Sequence, residues 1–161
     1  MIKISYDTEK HPFRNIVSDW FETSDLHKLH KIKKYEHFDR EHDQSTKWHK
    51  IFYDMIRKDK TFDKIYMEFL EENIKPRFKE EIVYQKIPTF RVHLPNNVSV
   101  GEFHKDKNYR NEEWAEKVRE INYYLPLTKA YDTNTIWAES EEDKGDFKPM
   151  NSHYGECIEW E

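Results

Sequence analysis

The stretch Tyr84-Gln85-Lys86-Ile87-Pro88-Thr89-Phe90-Arg91-Val92-His93-Leu94-Pro95-Asn96-Asn97-Val98-Ser99-Val100-Gly101-Glu102-Phe103-His104 decides the fold class. From Tyr84 to Leu94 the residues alternate. Tyr84, Phe90, Val92 and Leu94 fall on one face; Gln85, Thr89, Arg91 and His93 fall on the other. Period two is the signature of a strand with one buried face. Pro95-Asn96-Asn97 is a turn signal, and a second strand is expected from Val98 to about His104. Further strands are expected near Glu120–Leu125, near Thr135–Glu139 and from Gly155 to the end. Short strands separated by turns suggest an antiparallel sandwich or barrel.

Upstream the rhythm differs. Residues from about 11 to 82 read as helical, with Trp48, Ile51, Phe52 and Met55 at helical spacing, then Phe62, Ile65, Tyr66, Phe69 and Leu70. Asp59 or Thr61 would cap the second of these helices, Ser24 an earlier one, and Pro76 marks a stop. The aromatic stripes are read as core. The expectation is one α+β domain over 1–161, helical over 1–82 and built of strands over 83–161.

Composition narrows the function classes. The chain has 161 residues, 36% hydrophobic and 37% charged, with 10 Phe, 10 Tyr and 5 Trp against 3 Gly. So many rings argue for a folded core of few, large side chains rather than disorder. The net charge of −5 gives no general attraction to nucleic acid or an anionic membrane. A basic cluster, Lys28-Leu29-His30-Lys31-Ile32-Lys33-Lys34, is followed at once by Glu36, Asp39, Glu41 and Asp43, so a solvated helix face is favoured over nucleic-acid binding. No apolar run approaches a membrane span, no signal peptide is visible, and one cysteine, Cys157, cannot form an internal disulfide. A cytoplasmic protein is expected.

His-x-Asp occurs twice, at His37-Phe38-Asp39 and His104-Lys105-Asp106. The first lies among alternating charges and reads as surface. The second ends a strand, where period two places Val98, Val100, Glu102, His104 and Asp106 on one face. An imidazole and a carboxylate two residues apart, with a second imidazole from elsewhere, make the facial triad of non-haem Fe(II) oxygenases. On spacing alone, that reading and a surface His–Asp hydrogen bond stand equal.

Several blocks then occur in order: Pro88 to Pro95, Val100-Gly101-Glu102-Phe103-His104-Lys105-Asp106-Lys107-Asn108-Tyr109, Glu120-Ile121-Asn122-Tyr123-Tyr124-Leu125-Pro126, Asn134-Thr135-Ile136-Trp137-Ala138-Glu139, and Tyr154-Gly155-Glu156. The series, which covers roughly the C-terminal half, resembles the Fe(II)/2-oxoglutarate-dependent oxygenases of the streptomycin-biosynthesis type, within the phytanoyl-CoA-hydroxylase-like group. The resemblance implies a double-stranded β-helix, or jelly roll, with flanking helices. It implies Fe(II) held by His104 and Asp106, with 2-oxoglutarate and O₂ as co-substrates, a small-molecule substrate that is hydroxylated, and succinate and CO₂ as products. Arg91, Tyr109 and Asn122 match family positions near the co-substrate; for Arg91 and Asn122 a structural role on a strand face is equally open. Trp137 and Glu139 are candidates for the pocket wall, with core packing preferred for Trp137.

Two departures matter. Residues 110–119 are longer and more charged than the family pattern, so the substrate does not transfer with the resemblance. The family also places a distal His and a basic anchor for 2-oxoglutarate beyond the Tyr-Gly-Glu block, whereas the chain ends at Glu161. The expectation is a C-terminally incomplete jelly roll whose last strand exposes an unpaired edge, covered by a second copy. His153 is the remaining candidate for a third ligand; the bland reading is a histidine beside a turn. A non-catalytic jelly roll that binds a small ligand is the alternative function.

Overall fold

The computed structural model describes residues 1–32, 44–97, 103–105 and 119–161. In chain order the elements are β1 (Ile2–Ser5), α1 (Phe13–Trp20), α2 (Leu29–Ile32), α3 (Lys47–Ile56), α4 (Lys60–Phe69), β2 (Asn122–Tyr124), β3 (Trp137–Ala138), β4 (Lys148–Pro149) and β5 (Glu156–Trp160). A π-helical turn over Leu70–Ile74 and a 3-10 turn over Lys75–Arg77 end α4.

The helices start where local chemistry allows. The Asp59 carboxylate accepts from the backbone N–H of Thr61 at 2.8 Å and of Phe62 at 3.2 Å, satisfying two donors that open α4. The short turn before α2 is capped by Asp25, which accepts from the His27 N–H at 3.0 Å; the expected cap, Ser24, is one residue off. Pro76 lies in the turn that closes the helical run, as its missing N–H requires.

Those helices present rings to one another. Phe52 stacks on Phe90 with centroids 4.0 Å apart and planes at 7°. Phe69 receives the edges of Tyr6 at 5.3 Å and Phe13 at 5.4 Å. Trp20 meets Phe62 at 5.2 Å. Each fully buried ring contributes about 1.5–3 kcal/mol, so a chain poor in small apolar residues still fills a core.

The main sheet has the order β1-β5-β2, antiparallel throughout. Ile4 pairs with Cys157 and Ile2 with Glu159 on one side of β5; Tyr123 pairs with Glu159 and Asn122 with Trp160 on the other. Side-chain alternation puts Ile4, Cys157 and Tyr123 on the face toward the helical core, with which all three pack. Ile158, Tyr124 and Asn122 take the opposite face. Ile158 is buried on that face; Met150, Ala130 and Ser152, between β2 and β5 in the chain, are buried too. A smaller pair, β3 with β4, joins Trp137 to Pro149 and Ala138 to Lys148, and an isolated bridge joins Ala130 to Ser152.

Three expectations change. β5 is hydrogen-bonded on both sides, so the C-terminal strand is the middle of the sheet and not an exposed edge; the edge argument for a second copy therefore falls. The helical part also begins with a strand, β1, whose partner lies at the far end of the chain. Finally, Tyr84–Leu94 forms no strand ladder. Pro88 lacks the N–H that a ladder needs. Neighbouring backbone groups are taken by side chains of the helices: the Phe90 N–H donates to Tyr53 Oη at 3.1 Å, and the Tyr66 hydroxyl donates to the Gln85 carbonyl at 2.9 Å. The face alternation survives without the ladder from Phe90 to Leu94, where Val92 is buried, Phe90 and Leu94 join the core, and Arg91 and His93 are exposed; Tyr84, expected on the buried face, is 41% exposed. The second expected strand lies mostly outside the described residues; Phe103 and His104, which are described, are not in a strand. What these residues show is mixed helix and antiparallel sheet.

Candidate functional site

His104 sits in a short segment fixed from both sides. Phe103 stacks on Phe147 with centroids 3.8 Å apart and planes at 27°. Lys105 Nζ lies 2.8 Å from Glu142 Oε1 and 2.8 Å from Asp143 Oδ2. All three partners belong to the loop between β3 and β4. That loop is organised from within: Glu139 accepts from the N–H groups of Asp143 at 3.0 Å and Gly145 at 2.7 Å. Asp146 accepts from the Ser140 N–H at 2.9 Å and from its hydroxyl at 2.8 Å. The Ser140 backbone bond, then its hydroxyl, hold the Asp146 carboxyl below its usual range. Asp143 and Gly145 take positive φ of 62° and 71°, which the tight return of the loop demands. His104 itself is exposed.

The other expected site residues are anchored by different elements. Arg91 is exposed, next to buried Val92. Its neighbour His93 places Nδ1 3.1 Å from the carbonyl of Asn134, which ties this segment to the residues before β3. Asn122 opens β2 opposite Trp160, half-buried on the sheet face away from the helices. Trp137 is 41% exposed rather than core, and its indole N–H donates to the Asp132 carbonyl at 2.8 Å. Glu139 organises its loop as described. Asp106 and Tyr109, together with His37, Asp39 and the 110–118 part of the charged loop, lie outside the described residues.

A facial triad needs three donors in one place. Among the described residues no three His, Cys, Asp or Glu side chains converge to hold a metal. The described part of the expected donor set is therefore the imidazole of His104, and its chemistry suits Fe(II) when joined by a carboxylate two residues on. His153 belongs to no such described group, and it stands at a turn with a structural purpose. Its backbone N–H donates to Glu156 Oε2 at 2.8 Å, beside the Ser152 hydroxyl at 3.1 Å and Lys3 Nζ at 3.1 Å. Burial works against ionisation of Glu156, but these bonds prevail and hold its carboxyl below the usual range. The adjoining Tyr154 lies under the Arg14 guanidinium at 3.9 Å, and the Gly155 carbonyl accepts from the Tyr6 N–H at 2.9 Å. The Tyr-Gly-Glu block thus stitches β5 to the N-terminal segment. Cys157 is fully buried, and burial raises its thiol to about 12, as expected of a packing residue.

One cluster escaped the sequence reading. Arg77 Nε donates to Glu159 Oε2 at 2.6 Å, and the Tyr123 hydroxyl donates to the same oxygen at 2.7 Å. Arg77, then Tyr123 against the cost of burial, hold the Glu159 carboxyl below its usual range. The three residues are far apart in the chain, and no local spacing signals them.

Compared with known proteins, the chain is 32% identical over 156 residues to the streptomycin biosynthesis protein StrG of Streptomyces griseus, a match spanning 97% of this chain and 69% of that protein. The match includes the helical half, which the motif series alone did not reach. No protein-family model matches, and no solved structure gives a significant match. No helix among the described residues is long and apolar enough to cross a membrane.

Proposed function

The chain belongs to the family of the streptomycin biosynthesis protein StrG, and from that premise we propose that it is a biosynthetic enzyme, an Fe(II)/2-oxoglutarate-dependent oxygenase that hydroxylates a small molecule on a jelly-roll scaffold. The observation that carries the reading is the relationship, over 97% of this chain, to a biosynthesis protein, taken with His104-Lys105-Asp106 inside an ordered series of family blocks.

In this reading His104 and Asp106 hold the iron, and no third ligand is assigned. Bound Fe(II) would orient 2-oxoglutarate and activate O₂, with succinate and CO₂ released as the substrate C–H bond is hydroxylated. Arg91, exposed beside buried Val92, offers a guanidinium that grips a carboxylate with two parallel hydrogen bonds. Asn122, on the sheet face away from the helices, presents an amide that both donates and accepts; for Tyr109, outside the described residues, a co-substrate role rests on the family resemblance alone. Support for the architecture comes from the antiparallel sheet centred on β5, with the helical core packed on one face.

The reading is tested by incubating the protein with Fe(II), 2-oxoglutarate and O₂ and measuring succinate. Succinate above the metal-only background, lost in His104→Ala and in Asp106→Ala, is the expected result. Succinate production that is unchanged in both variants would show that these residues hold no catalytic iron.

A further inference from the structure

His104 is held through its two chain neighbours by a single loop, and this arrangement carries an inference of its own. We propose that the loop over residues 139–147 is a positioning clamp for His104, with Phe103 and Lys105 as positioning residues and Glu139 as the keystone of the clamp; its bearing on metal capture rests on the function proposed above.

The geometry has three parts. The first is a pair of handles. Phe103 stacks on Phe147 at 3.8 Å although Phe103 remains 66% exposed, so only one face of the ring is used, and that face is the loop's. Lys105 reaches Glu142 and Asp143 at 2.8 Å each. One exposed ion pair would do little, but one ammonium shared by two carboxylates, with a ring stack two residues away, restrains the chain on both sides of the imidazole.

The second part is rigidity in the loop that holds the handles. Glu139 closes it by accepting from two backbone N–H groups, and Asp146 by accepting from the Ser140 N–H and the Ser140 hydroxyl. Glu139 accepts from the N–H of Asp143, one of the two residues that grip Lys105, so the keystone and the handle share a residue. The third part is attachment. The loop leaves β3 and returns through β4, whose register is fixed by pairing of Ala138 with Lys148. The position of the His104 segment is thereby referred to the β3–β4 pair. A ligand whose backbone is fixed before the metal arrives loses less freedom on binding; groups hydrogen-bonded to a metal's ligands are commonly worth about 10–100-fold in metal affinity, and restraint through chain neighbours is placed at the low end of that scale.

The test uses the full chain labelled with ¹³C-histidine, with the His104 ring signal identified by its loss in His104→Ala. In Phe103→Ala/Lys105→Ala, and in Glu139→Ala, the His104 signal is expected to shift and sharpen as the ring gains mobility, while the signals of buried His11 and His49 stay in place and report an intact fold. Lys105→Arg is expected to restore the wild-type signal in the Phe103-intact background. A His104 signal that is unmoved by the double variant and by Glu139→Ala overturns the clamp. Co(II) titration separately reads the consequence: the double variant is expected to bind about tenfold more weakly than wild type. Equal Co(II) affinity in wild type and His104→Ala would contradict the metal assignment, whereas metal binding through His104 with an unmoved ring signal in the clamp variants would contradict the clamp alone.

Discussion

Asp59 shows how much one carboxylate can organise. It caps α4 through two backbone donors and also accepts from the Trp20 indole N–H at 2.9 Å. Burial opposes its ionisation, yet the bonds from Phe62, Trp20 and Thr61 prevail and hold its carboxyl below the usual range. Replacing it with alanine strands the two helix donors and a half-buried indole. Asp59→Ala is expected to cost about 2 kcal/mol in chemical denaturation, from the lost cap and the unpaired N–H together, and Asp59→Asn to recover most of it. Equal stability of the alanine variant and wild type would show that the cap is idle. The candidate ligand His104 belongs to the same scale but a different logic, since its surroundings restrain its neighbours rather than bury it.

At the scale of elements, the Tyr154-Gly155-Glu156 turn is a joint between β5 and the N-terminal segment. Gly155 has φ of +93°, and a β-carbon there would stand 3.1 Å from Thr8 Cγ2 with the Tyr6 carbonyl at 3.9 Å. Gly145 also has positive φ, +71°, but its side is open. Gly155→Ala is therefore expected to destabilise by about 2 kcal/mol or more, through strain and crowding, and Gly145→Ala by about 1 kcal/mol, through strain alone. Thermal unfolding of the pair decides it; an equal loss in both would mean that the contact with Thr8 is immaterial. This scale also shows what was legible in the sequence. α3 and α4 were, because helical periodicity and the Asp59 cap are written within a few residues. Tyr84–Leu94 misled, because its alternation from Phe90 to Leu94 reports which residues are buried and not what satisfies the backbone; Tyr53, 37 residues before Phe90, and Tyr66, 19 residues before Gln85, do that. β1 was missed because its partner, Cys157 for Ile4, lies at the other end of the sequence. In the site, the His-x-Asp spacing was visible, but the clamp on Phe103 and Lys105 and the roles of Glu139 and Glu156 depend on contacts with no local signature.

For the whole molecule, the Arg77–Glu159–Tyr123 cluster links the end of the helical run to the central strand and its neighbour β2. It also makes stability depend on pH. Arg77 holds Glu159 below its ordinary value of 4.5, so across the interval beneath 4.5 the unfolded chain binds the proton first. The contribution is complete above that value and is lost as pH falls through the folded one. Denaturation midpoints are expected to fall through this interval in wild type and to fall less steeply in Glu159→Gln; the same slope in both would remove Glu159 from the account. Relationship across both halves to StrG fits such a molecule, in which helices, sheet and turn form one interlocked unit.

On the function proposed, this unit binds iron through His104 and takes 2-oxoglutarate beside it. The most direct measurement is an anaerobic titration of the protein with Fe(II) and 2-oxoglutarate, following the visible charge-transfer absorption that arises when the 2-oxo acid chelates protein-bound iron. A saturable band at one equivalent of iron, absent in His104→Ala, is the expected result. No band in wild type, or the same band in His104→Ala, would contradict it.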